Sequence, residues 1–398
     1  MDSLSRYQVD HLLLLLGKNP LPNAVAGKLL VKPDGCITLF YTEETSRAIG
    51  RLKAFLTGIE FNAHMKIKEA DAHSIYERVY SALDGSEGKS VGLHYTGGTK
   101  AMSVHAYAAV RRWCDDCVHL APVFSYLDAR KLEMVIDPDN PLSDTPKSIP
   151  VGKADVISLR QMIDLHGWSY KKEGGRELAP ITEPLFPQTA SDLAELHSSD
   201  EGAEAWRKWK DSEGAKFDFG NDEKLGGIWR TLEVESGAKL LTDIVGPSAN
   251  ISRDELKKWL DGKWLESYVL QCLLDLNDGD ADFDLKDCCR ELRTNEVDFE
   301  VDVIARRGYQ LFAFTCTTTK HKAQVKLKIF EVFVRARQLG GDEARIALVC
   351  AYPDPDALQA EIHSEFDSER RVRVFGQRDL KDLKAALAGW IKKQSHIS

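Results

Sequence analysis

The sequence predicts an α/β protein of two α/β units joined by a connecting module, in a chain of 398 residues. In the first 150 residues, short apolar runs alternate with helix-like stretches, as in an open parallel sheet. From residue 251 a second series of helices and strands begins. Within it, "FEVDVIARRGYQLFAFTCTTTK" (299–320) reads as two strands joined by a short turn. Asp298, Glu300 and Asp302 recur at every second position of the first, so their carboxylates share one strand face.

The elements of the first unit follow in order. "HLLLLLG" (11–17), "CITLFYT" (36–42) and "SVGLHYTGGTK" (90–100) are apolar runs, the first and third closing on glycine, as buried parallel strands do. A helix-like stretch follows each: "NAVAGKLLV", "EETSRAIGRLKAFL" and "AMSVHAYAAVRRW". "VFSYLDARKLEMVI" reads as a hairpin turning near Asp128 and Ala129. The proline-containing "DPDNPLSDTPKSIP" places the end of the unit near residue 150.

Residues 151–250 read as a connecting module of small helices and strands, with a helix and turn in "SLRQMIDLHGWSY". The second unit spans 251–398. It opens on "SRDELKKWLDGKWLESYVLQCLLDL", one or two helices with Ser252 as N-cap and Glu255 as its capping-box partner. After the strand pair come a helix (323–340), two strands in "ARIALVCAY" and "VRVFGQ", and a terminal helix in "LKDLKAALAGWIKK".

Composition is that of a globular protein, 43% hydrophobic and 29% charged. "LLLLL" (12–16) is too short to span a bilayer and lacks the features of a signal peptide, so a cytoplasmic location is expected. Eight cysteines without regular spacing fit reduced thiols. Cys114 and Cys117 form a lone CxxC without the partners of a zinc set. The net charge of −9 argues against a general nucleic-acid coat protein. The segment from Ile304 to Gly340 is nevertheless basic, with Glu331 its only acid. It suits a phosphate backbone held over a metal site, or simply a solvated helix face.

Three loops at strand ends carry polar chemistry. In "YTGGTKAM", Thr96, Gly97, Gly98, Thr99 and Lys100 lie between a strand and a helix, where open α/β sheets bind ligands. Two glycines let backbone N–H groups approach an anion, and the helix N-terminus adds a favourable dipole. The alternative is a polar tight turn. Neither a Walker loop nor GxGxxG is present, so a dinucleotide-dependent oxidoreductase is disfavoured. "GKNPLPNA" offers Asn19 and Asn23, and "YTEETS" offers Thr42 and Thr45, as hydrogen-bonding groups for a base or ribose.

Together, "LLLLLGKNPLPNA", "YTEETSRAIGRLKAFL" and "LHYTGGTKAMSVHAYAAV" resemble the CARF domain of type III CRISPR accessory effectors. "LHGWSY" and "DGKWLESYVL" resemble later landmarks of those that fuse this domain to a restriction-endonuclease-like nuclease of the PD-(D/E)xK type. The resemblance implies a Rossmann-like CARF domain over 1–150, a connecting module and a nuclease-like domain over 251–398. It implies a homodimer sharing one cyclic tetra-adenylate, which switches on a metal-dependent nuclease for single-stranded RNA or DNA. By position, the ligand residues would be Asn19, Thr42, Thr45 and Thr96 to Lys100.

In the nuclease half the resemblance assigns Glu266 of "KWLES" and Asp302 of "FEVDV" as metal ligands, with magnesium or manganese the suitable cation. The glutamate and lysine of its ExK ending fall at Thr315 and Thr317. Cys316 keeps its backbone carbonyl as a ligand. Two readings stay open. The site is rebuilt, with Glu300 replacing the glutamate, Lys320 the lysine, and the threonine hydroxyls orienting water or phosphate. Or it is inactive, leaving a cyclic-oligoadenylate-binding protein that grips nucleic acid or a partner.

Overall fold

The computed structural model describes residues 2–117, 121–138, 144–212, 223–238, 243, 251–280, 282–295, 300–366 and 371–394. Asp298 lies outside them. The chain begins with α1 (Asp2–Ser5), β1 (Val9–Leu15), α2 (Leu21–Leu30), β2 (Val31–Tyr41), α3 (Ala48–Phe55), β3 (Glu60–Lys66), α4 (Ala72–Ser81), β4 (Val91–His94) and α5 (Lys100–Cys117). A meander of β5 (Val123–Asp128), β6 (Glu133–Ile136) and β7 (Lys147–Pro150) follows. These strands form one sheet in the order β3-β2-β1-β4-β5-β6-β7, parallel from β3 to β5 and antiparallel beyond. β1 is wholly apolar from Leu12 to Leu15 and buried on both faces, as the centre of such a sheet requires. The strand order reverses between β1 and β4. That switch point is where a doubly wound sheet opens a crevice at its carboxyl edge.

The next elements are α6 (Leu159–His166), β8 (Lys172–Glu173), β9 (Arg176–Glu177), α7 (Pro187–His197), α8 (Asp200–Ser212) and α9 (Glu223–Ser236). Helix α6 is closed at both ends by its sequence. Ser158 and Gln161 form a capping box, and Gly167 takes the left-handed C-cap position at φ +75°.

The second sheet domain runs through α10 (Arg253–Lys258), α11 (Trp264–Gly279), β10 (Lys286–Arg293), β11 (Glu300–Arg307), β12 (Gln310–Thr317), α12 (Lys322–Gly340), β13 (Arg345–Cys350), α13 (Pro355–Phe366), β14 (Val372–Phe375) and α14 (Leu383–Lys393). Its strand order is β10-β11-β12-β13-β14, antiparallel up to β12 and parallel after it. The carboxylate strand β11 therefore sits beside the central strand β12, as expected. Ser252 and Glu255 form the capping box at α10. A widened turn at Trp259–Lys263 then breaks the helical run at Gly262 and turns α11 inward.

Helices α7 to α9, within the stretch read as a connecting module, pack into the second sheet domain. Leu193, Trp206 and Ile228 share one core with Trp264, Leu273 and Phe314 of the second sheet domain. Another core joins Leu14 and Met162 to Leu311 and Ile329, so both sheets are tied by α6 and α12. At this junction the Arg306 guanidinium bonds Asp155 at 2.6 Å and Asp287 at 2.7 Å. No described helix is long and apolar enough to cross a membrane.

Candidate functional site

Two regions gather the residues that the sequence singled out. The first is the carboxyl edge of the N-terminal sheet. The glycine loop after β4 folds onto the end of β1. A Cβ on Gly97 would lie 2.0 Å from the Leu15 carbonyl, and one on Gly17 would lie 3.0 Å from the Gly98 nitrogen. Gly98 itself has φ +77°. Gly97 and Gly17 are therefore required by backbone contact within the protein, and Gly98 by its positive φ. Thr96 accepts the Leu127 N–H at 2.6 Å, which ties the loop to β5. Thr99 donates to the Glu69 carbonyl at 3.1 Å and accepts the Met102 N–H at 3.3 Å, capping α5. Lys100 is left exposed at the helix start.

The neighbouring strand ends meet the same edge. Asn23 is buried, and its Nδ2 donates to the Leu15 carbonyl at 3.0 Å. Its Oδ1 has no hydrogen-bond donor among the described residues. Thr42 and Thr45 are buried and bonded to each other, the Thr42 N–H donating to Thr45 Oγ1 at 3.0 Å. They shape the loop after β2 more than they present hydroxyls. Asn19 Oδ1 accepts the Leu21 N–H at 2.9 Å. Its amide nitrogen lies against the other domain, 2.5 Å from where a Cβ on Gly341 would stand.

The second region is a cleft of about 540 Å³ at the start of β11 and the end of β12. Asp302 Oδ2 accepts the Thr315 hydroxyl at 2.9 Å and the Cys316 N–H at 2.6 Å. Glu266 reaches it from α11. The kinked turn before that helix brings Lys263 and Asp261 to the same wall. Glu266 is only 8% exposed, and among the described residues its Oε2 has no hydrogen-bond partner. Burial, and then the charge of Asp302, pushes its carboxyl up to about 8. Burial also raises Asp302, against the pull of Lys328 and its two hydrogen bonds. A buried acceptor without a donor, beside a second crowded carboxylate, is an arrangement that a cation relieves.

Several expectations are corrected here. Glu300 lines the cleft but turns to Arg293, whose Nε lies 2.8 Å from its carboxylate. Among the described residues no three His, Cys, Asp or Glu side chains gather closely enough to hold a metal. The four-member set of Glu266, Glu300, Asp302 and Cys316 thus contracts to two carboxylates and the Cys316 carbonyl. Lys320 is not in the cleft. It lies beyond the end of β12, where the chain leaves the sheet, and pairs with Asp200 at 2.8 Å on the surface. Thr315 is committed to Asp302, while Thr317 remains on the cleft wall and accepts the Thr319 N–H at 3.3 Å.

Two cations act on the carboxylates: Lys263, from the turn before α11, on Glu266, and Lys328 of α12 on Asp302. The Lys328 amine donates to the Cys316 carbonyl at 3.2 Å. Val325, Ile329 and Val332 bury one stripe of that helix, which sets Lys328 at the edge facing the strand ends. It belongs to the basic run noted in the sequence, but its position nearly two turns into a helix hid it among solvated neighbours.

No family model matches the chain, and no curated protein matches it. Solved structures do match over nearly the whole length. Can2 from Sulfobacillus thermosulfidooxidans, solved in complex with cyclic tetra-adenylate, aligns at 16% identity with TM-score 0.69, covering 98% of this chain and 99% of that one. Protein VC1899 from Vibrio cholerae aligns at 15% identity with TM-score 0.64, covering 96% and 98%. The chain has the fold of these proteins, a Rossmann-like domain of parallel strands followed by a further α/β domain.

Proposed function

We propose that the chain is a metal-dependent nuclease of type III CRISPR defence, activated by cyclic tetra-adenylate and cutting single-stranded RNA or DNA. The carrying observation is the buried Glu266, with a carboxylate oxygen unpartnered among the described residues, beside the half-buried Asp302, facing Lys328 across an open cleft. Two carboxylates and a carbonyl are oxygen donors of the kind magnesium and manganese accept, with water completing the set. A divalent cation there would polarise a phosphate oxygen and lower the pKa of bound water.

The protein's own groups supply the rest. Thr315 and the Cys316 N–H hold Asp302 in one orientation. Lys328 places positive charge beside the carboxylates, where negative charge grows during phosphodiester cleavage. Thr317 offers a hydroxyl to water or phosphate. In the first domain, the loop 96–100 and the ends of β1 and β2 flank the crevice proposed for the activator. A ring with repeated phosphates suits a pocket built twice about a two-fold axis, so the working form is a homodimer. Residues 1–150 act as the sensor and 251–398 as the nuclease in this reading. The likeness to Can2, solved with cyclic tetra-adenylate, supports it.

A second reading has its own observation. Threonines stand at both positions where an ExK ending would put its glutamate and lysine, and among the described residues no third carboxylate gathers with the pair closely enough to hold a metal. A chain so altered would bind the cyclic nucleotide and act without cutting. Manganese titration followed by electron paramagnetic resonance separates the two. The nuclease reading expects a bound ion that is lost in Glu266→Gln and Asp302→Ala. Equal manganese binding by wild type and both variants contradicts it.

A further inference from the structure

A second groove, of about 930 Å³, adjoins the candidate cleft. Lys258 and Lys263 line both. A chain of ion pairs forms the partition between them: Lys263 to Glu291 at 2.9 Å, Glu291 to Arg293 at 3.0 Å, and Arg293 to Glu300 at 2.8 Å. Arg290 closes on Glu291 from the other side at 2.9 Å. Glu291 is thus covered by three cations. Two other acids of the groove are engaged. Glu255 serves the capping box of α10, and Glu235 accepts the Gln188 and Thr189 N–H groups at the start of α7. Asp243 also borders the groove.

The wall is aromatic where α7 begins. Phe186 stands edge-on to the buried Trp259, with ring centroids 5.3 Å apart, and is itself only half-buried. Its φ of +47° is a conformation that a residue with a large side chain adopts only at a cost. Pro187 follows as the first helical residue. A cationic ridge next to a partly open aromatic ring is the combination that holds single strands, phosphates on the charges and bases on the ring.

We propose that this groove holds the single-stranded nucleic acid that flanks the scissile phosphate, with phosphates crossing Lys258 and Lys263 and a base resting on Phe186. The inference rests on the nuclease reading of the adjoining cleft.

Fluorescence anisotropy with labelled 12-nucleotide RNA and DNA, in calcium and cyclic tetra-adenylate, tests it. Phe186→Ala is expected to weaken binding about tenfold, the effect of losing one base–aromatic stack. Because Phe186 also packs on Trp259, its melting curve is recorded, and the exposed Lys258→Glu provides a second variant. That variant is expected to weaken binding and to make the slope of log affinity against log salt shallower by about 0.7. Lys257→Glu, exposed and lining neither cavity, controls for general charge. Wild-type affinity in both groove variants overturns the proposal. If they lose binding while wild type cuts nothing, the groove stands and the nuclease reading falls. If wild type cuts and the groove variants bind and cut as it does, the groove falls alone. If wild type binds neither strand, both fall.

Discussion

Lys328 of α12 donates to the carbonyl of Cys316, 3.2 Å away, at the end of the strand whose neighbours Thr315 and Thr317 occupy the expected catalytic positions. A helix thus supplies to the cleft the positive charge that the strand lacks.

The first prediction follows from that contact. Lys328→Ala should lower the cleavage rate roughly 100-fold, the usual loss when one group that stabilises developing charge is removed. Lys320→Ala should stay within about twofold of wild type, because an exposed ion pair such as Lys320–Asp200 contributes little. Single-turnover cleavage by the two variants measures both. Wild-type rates in Lys328→Ala would move the cationic role elsewhere.

A second prediction concerns pH. The folded chain holds a proton on Glu266 up to about pH 8, whereas the group's ordinary value is 4.5. Below 4.5 both states are protonated, and the contribution to stability is complete. As pH rises toward 8 the unfolded state has already released its proton, so stability is lost. The Tm of wild type should therefore fall relative to Glu266→Gln across this window. Added manganese should raise the wild-type Tm most at its upper end, where the carboxylates are easiest to ionise. Parallel curves for the two proteins would remove Glu266 from the account.

The third prediction concerns the activator loop. Lys100→Ala should weaken cyclic tetra-adenylate binding at least tenfold, consistent with ~1.5–3 kcal/mol for a charged hydrogen bond, and leave the melting curve unchanged. Calorimetry reads both the affinity and its absence. Gly97→Val is a different experiment. Its side chain would collide with the Leu15 carbonyl, so it should damage the loop and lower the Tm before any ligand is added.

Much of this was legible in the residues. The apolar runs of β1, β2 and β4, the capping box at Ser252 and the pairing of β11 with β12 all follow from local patterning. β3 escaped because "EFNAHMK" alternates exposed and half-buried residues at a sheet edge and has no apolar run. β10 escaped because its charged sequence bends through a positive φ at Asp287 and Glu291. Helices α7 to α9 were read only as part of a connecting module, since nothing local shows that Leu193 and Trp206 share a core with Trp264. The cleft was half legible. Asp302 stood out by its spacing along the strand, and Glu266 through the resemblance carried by "DGKWLESYVL". Lys328 and the turning of Glu300 toward Arg293 depend on how a helix and a neighbouring strand dock, which no short stretch of sequence encodes.

The central claim is tested most directly by incubating the protein with end-labelled single-stranded RNA and DNA, with and without cyclic tetra-adenylate, in magnesium or manganese. Cleavage of at least one strand is expected only when activator and metal are both present, and none with Asp302→Ala, whose activator affinity stays that of wild type. A wild-type protein that binds cyclic tetra-adenylate and cuts neither strand in either metal would contradict it.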